Sequence, residues 1–141
     1  MYRIDFNKLR FLVCDDNAHM RRILRTLLHS FGAREVYESE DGATALEMFS
    51  HYVPDIVITD WSMPIFDGLE LAQMIRQPDA NGNPYAPIIM SWCPAPRETT
   101  ARVSARNAPL SSHPSVLVLP NGAHSLRRQF ARPHHNLSHY G

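Results

Sequence analysis

Along the first ninety residues, short apolar runs alternate with stretches of helical periodicity, and the two strongest runs end in aspartate. Residues 9–14 are mostly apolar and stop at Asp15-Asp16, which suits a strand buried on both faces of a parallel sheet. Ile56-Val57-Ile58-Thr59 is β-branched throughout and stops at Asp60, giving a second such strand. Between them, Met20, Ile23, Leu24, Leu27, Leu28 and Phe31 recur at helical spacing, with Arg21, Arg22 and Arg25 reading as a solvated face and Gly32 as the stop. A weaker strand is expected at 34–39, then a helix over 43–51 opened by Asp41-Gly42. Leu71, Ala72 and Ile75 predict a helix over 69–76, a turn-rich loop follows at 78–84, and 87–90 reads as a fourth strand. Strands separated by helices imply right-handed crossovers, hence an α/β, doubly wound parallel sheet with helices on both faces.

Beyond Ser91 the pattern weakens. Residues 97–108 predict a mediocre helix because Thr99, Thr100 and Val103 interrupt good helix formers. Residues 115–119 read as a fifth strand, ended by Pro120-Asn121-Gly122. One domain over 1–120 and a flexible tail over 121–141 are expected. Charge changes at the same place: residues 1–90 carry 13 acids and 8 bases, whereas residues 91–141 carry Glu98 and 6 arginines. Over the whole chain the charges cancel, so no general affinity for nucleic acid is expected, and Arg127, Arg128 and Arg132 make too small a footprint to change that. His134, His135 and His139 read as solvated rather than metal-binding. Cys14 and Cys93, without CxxC spacing or a secretory leader, point to the cytoplasm, and no apolar run is long enough to span a bilayer.

In a doubly wound sheet, ligands sit beyond the carboxyl ends of the strands, where adjacent crossovers diverge. Asp15, Asp16 and Asp60 would meet there if the first and third strands are neighbours. Three crowded carboxylates repel one another unless a cation joins them, and magnesium suits hard oxygen ligands and phosphate. Asp60, alone at its strand end, is the better nucleophile toward a phosphorus centre.

Asp60-Trp61-Ser62-Met63-Pro64 followed by Asp67-Gly68, after an earlier Asp15-Asp16, closely resembles the receiver domain of two-component response regulators over residues 7–90. The resemblance implies a five-stranded, flavodoxin-like (βα)5 sandwich of strand order 2-1-3-4-5. It implies phosphorylation of Asp60 by a histidine kinase or histidine phosphotransfer protein. Magnesium would be held by Asp15, Asp16, Asp60 and the backbone carbonyl of Ser62, and output would pass to a downstream protein effector. The role is that of a phosphoacceptor signalling domain rather than an enzyme with a separate substrate. A phosphatase with an aspartyl-phosphate intermediate is disfavoured, because Ser62 stands where such enzymes carry a second acid.

The family also carries a hydroxyl at the end of the fourth strand and a Lys-Pro at the end of the fifth. Here the hydroxyl position is Trp92, and Ser91, one residue early, is the candidate substitute. Lys8 is the only lysine in the chain, and His113-Pro114 and Leu119-Pro120 are the nearest echoes of Lys-Pro. Divergence, a reading-frame slip near residue 90, or an extension serving a partner would each produce this. A pseudo-receiver, binding partners without a working phospho-switch, is the alternative.

Overall fold

The structure, a computed structural model, describes residues 3–77, 79–92 and 115–119. The expected helix over 97–108, Cys93, His113-Pro114 and the tail from 121 lie outside the described residues. A 3-10 turn at Phe6–Lys8 leads into β1 (Arg10–Cys14), α1 (Ala18–Ser30), β2 (Glu35–Ser39), α2 (Gly42–Tyr52) and β3 (Ile56–Asp60). α3 (Gly68–Ile75), β4 (Ile88–Trp92) and β5 (Ser115–Leu119) complete the order.

The strands form one sheet in the order β2-β1-β3-β4-β5. β1 pairs in parallel with β2 and β3, and β3 in parallel with β4, so the expected switch point falls between β1 and β3. The fifth strand departs from expectation: β5 lies beside β4 but runs antiparallel, with Trp92 opposite Ser115 and Ile88 opposite Leu119. A parallel fifth strand needs a crossover whose apolar side packs on the sheet. Pro94, Pro96 and the polar 97–108 stretch supply little to pack, and an antiparallel pair needs no such cover.

Alternation along the strands divides the core between the two faces. Leu12, Cys14, Val57, Ile88 and Met90 pack with Phe49 of α2 and with Leu71 and Ile75 of α3. Phe11 and Val13 pack on the other face with Leu28 and Leu24 of α1. Burying a side chain the size of Phe49 is worth about 3 kcal/mol, which is why the helices dock with these stripes inward.

The helix ends follow from local chemistry. Asn17 caps α1 by accepting the His19 and Met20 N–H groups, and Gly32 ends it at φ +99°, a conformation open to glycine. Asp41 caps α2 through the Thr44 N–H. Asp67 and Glu70 form a reciprocal capping box at α3, so the Asp-Gly pair belongs to a helix start.

Candidate phosphoacceptor site

The site sits at the carboxyl ends of β1 and β3. Asp15 follows directly on β1, is buried, and is fixed by its own N–H on the Ser39 carbonyl at 3.1 Å and by the Asn17 N–H on its Oδ1 at 2.8 Å. Asp16 is exposed and Asp60, the last residue of β3, is half-buried. One carboxylate oxygen from each lies within 4.8 Å of the others. The expected convergence of Asp15, Asp16 and Asp60 is therefore present, and three hard oxygen donors at this spacing suit a divalent cation.

The electrostatics carry the mark of that crowding. Burial, then the charge of Asp15, pushes the Asp60 carboxyl up to about 6, against the Trp61 and Ser62 N–H groups that favour its ionised form. Asp15 is raised as well, first by burial and next by its Asp16 neighbour, with the Asn17 hydrogen bond opposing. A cation placed among the three would offset both the cost of burying these charges and their mutual repulsion.

Backbone geometry holds Asp60 from below. The Trp61 N–H lies 2.8 Å from Asp60 Oδ1 and 2.9 Å from the Ser91 carbonyl. Trp61 and Met63 are buried in the core, and the Thr59 hydroxyl lies 3.8 Å from Met63 Sδ, so the loop after Asp60 is anchored. Gly68 donates its N–H to the Trp61 carbonyl at 2.8 Å. A Cβ at Gly68 would come 2.3 Å from the Asp60 carbonyl oxygen. Its absence, rather than an unusual turn conformation, is what the loop requires; the left-handed residue here is Ile65, at φ 72°.

Ser62 is exposed at the start of this loop. Ser91 is the register partner of Asp60 across β3 and β4. Paired residues of adjacent strands project to the same face, so position 91 stands on the Asp60 side of the sheet.

Arg21 was expected on a solvated face; instead its Nη1 donates to the Asp15 carbonyl at 2.8 Å and its Nε lies 3.7 Å from Glu38. Arg25 reaches Glu38 at 2.9 Å. These contacts fix the start of α1 against the ends of β1 and β2. No signal in the helical pattern distinguishes Arg21 and Arg25 from Arg22, because Glu38 arrives only through the sheet.

The family model for the response regulator receiver domain matches residues 11–106. The chain belongs to that family. Chemotaxis protein CheY-3 of Vibrio cholerae is 37% identical over 90 residues, covering 64% of this chain and 68% of that protein. Chemotaxis protein CheY of Pseudomonas aeruginosa is 33% identical over 90 residues, 64% of this receiver and 71% of the relative. Among solved structures, CheY4 of Vibrio cholerae superposes with a TM-score of 0.53 at 28% identity, over 58% of this chain and 66% of that one. The receiver domain of a Pseudomonas aeruginosa sensor histidine kinase matches with a TM-score of 0.53 at 26% identity, covering 58% of this chain and 65% of its own. That structure is described with a magnesium ion coordinated in its active-site cleft. The receiver thus spans about two thirds of the length of these relatives, and its acidic cluster is of the kind typical of the family's phosphoacceptor site.

Proposed function

We propose that Asp60 accepts a phosphoryl group from a histidine kinase or histidine phosphotransfer protein and passes the signal to a downstream protein effector. The observation that carries this reading is the convergence of Asp15, Asp16 and Asp60 within 4.8 Å at the carboxyl edge of β1 and β3. The donor chemistry fits magnesium, with Asp15, Asp16, Asp60 and the Ser62 carbonyl as the residues that would hold it. Bound there, the ion supplies positive charge to the phosphoryl oxygens as they transfer. An ionised Asp60 oxygen attacks phosphorus, an O–P bond forms, and the N–P bond of the phosphohistidine breaks with its electron pair returning to the imidazole nitrogen. The Trp61 N–H keeps one Asp60 oxygen fixed at 2.8 Å, which leaves the other to act as nucleophile.

On this reading the chain is a phosphoacceptor signalling domain whose chemistry is confined to its own phosphorylation and dephosphorylation. Its compartment is the cytoplasm, with Cys14 as a free, buried thiol. Among the described residues no helix is long and apolar enough to cross a membrane.

The test is intact-mass measurement after incubation with acetyl phosphate, with and without magnesium. The expected result is a gain of one phosphoryl group that requires magnesium and disappears in Asp60→Asn. No gain in the wild-type chain would sink the phosphoacceptor reading.

A further inference from the structure

Asp15 is held through its main chain on both sides. Its N–H meets the Ser39 carbonyl of β2 at 3.1 Å, and its carbonyl oxygen accepts Arg21 Nη1 at 2.8 Å. The second of these bonds acts on more than Asp15. That oxygen belongs to the peptide unit joining Asp15 to Asp16, and the unit is planar, so fixing the oxygen sets the direction in which the chain enters Asp16. Asp16 is exposed, so packing contributes little to where its carboxylate lies.

Arg21 is itself fixed at both ends. Its backbone N–H donates to the Asn17 carbonyl at 3.1 Å within α1, and its Nε lies 3.7 Å from Glu38 Oε1. Val13 packs toward α1, and Glu38, its register partner on β2, projects to the same face, so strand pairing brings this carboxylate to the helix. The guanidinium is planar, so a carboxylate at Nε and a carbonyl at Nη1 fix its plane as well as its place. Arg25 reaches Glu38 at 2.9 Å, one turn further from Asp15. The side chain of Arg21 is 17% exposed and that of Arg25 46%. Of two arginines that share one partner, the one beside the acidic cluster is the more enclosed.

We propose that Arg21 is a positioning residue for the divalent-ion site: braced by Glu38, it orients the Asp15–Asp16 peptide so that both carboxylates converge with Asp60. The inference rests on the reading of these three acids as magnesium ligands, and it adds an outer contact, reaching the edge strand β2, that sets their spacing. Removing an outer contact that aligns a metal's own ligands typically costs about tenfold or more in affinity. A lysine at position 21 keeps the charge, but its single nitrogen cannot fill both places that the guanidinium occupies.

Magnesium titrations of the full-length chain, followed by tryptophan fluorescence, test it in three variants. Arg21→Ala should weaken magnesium binding about tenfold, and Arg21→Lys by a smaller factor. Arg25→Ala, which removes the other helix contact to Glu38, should bind as the wild type does. Equal losses in Arg21→Ala and Arg25→Ala would mean that docking α1 on β2 is all that counts, and would overturn the proposal. Wild-type affinity in either Arg21 variant would overturn it too. A second readout needs no metal. The residual dipolar coupling of the Asp16 amide reports the orientation of that peptide; it should change in Arg21→Ala and stay the same in Arg25→Ala. An unchanged coupling in Arg21→Ala sinks the proposal even where magnesium binding weakens. No magnesium response in the wild-type chain would overturn the metal reading and this proposal together, whereas failure of the proposal alone leaves wild-type binding intact.

Discussion

Asp60 and Ser91 face each other across β3 and β4, tied through one N–H: Trp61 stands 2.8 Å from the Asp60 carboxylate and 2.9 Å from the Ser91 carbonyl. On the proposed phosphorylation of Asp60, this shared N–H is the contact that links its carboxylate to the end of β4.

Ser91→Ala tests whether the hydroxyl on the acceptor's side takes part. The expected outcome is slower labelling by acetyl phosphate, by about tenfold, the worth of one good hydrogen bond to a charged group. Magnesium affinity, followed by tryptophan fluorescence, should not change. Equal labelling rates would remove Ser91 from the site.

Asp60 gives stability a definite pH dependence in the absence of divalent ions. Its carboxyl titrates near 6 in the folded chain against 3.8 ordinarily, so the native state holds the proton where the unfolded state has lost it. Stability should fall as pH rises from about 4 to 6, because ionisation there is resisted by burial and by Asp15. Urea titrations in a chelator should show this slope, and Asp60→Asn should flatten it. Magnesium should do the same by favouring the ionised form. A wild-type slope of the opposite sign would contradict the crowding of the three carboxylates.

Ile65 holds φ 72° while 69% exposed, a costly conformation for a β-branched residue with little burial to offset it. Ile65→Asn should raise stability by about 1 kcal/mol, seen as a rise of several degrees in Tm. A lower Tm would show that the Ile65 side chain contributes more than its backbone costs.

Gly68→Ala places a methyl group 2.3 Å from the Asp60 carbonyl oxygen. Relief requires moving either the end of β3 or the start of α3. A loss of about 3 kcal/mol in chemical denaturation is expected, together with weaker magnesium binding because Asp60 shifts with its strand. Unchanged denaturation would mean that the loop yields freely.

Much of the fold was legible along the chain. The β-branched run at 56–60, the helical stripes and the acids at two strand ends are local patterns, and they led to β1, α1, α2, β3, α3 and β4 within a residue or two at most boundaries. The acidic site was legible for the same reason, since a parallel sheet sends the carboxyl ends of neighbouring strands to one edge. Other features had no local sign. Arg21 and Arg25 pattern as surface residues until β2 brings Glu38 to them. The need for glycine at position 68 is a close approach to a carbonyl eight residues earlier in sequence.

The amino-acid sequence by itself determined the alternation of elements, the family and the three carboxylates, because periodicity, capping and strand termination act over a few residues. Tertiary structure alone decided the direction of β5, the register that sets Ser91 opposite Asp60, and which flank of α1 stays exposed among the described residues. Those depend on which surfaces meet once the sheet has assembled, and no short-range pattern encodes a meeting between distant segments.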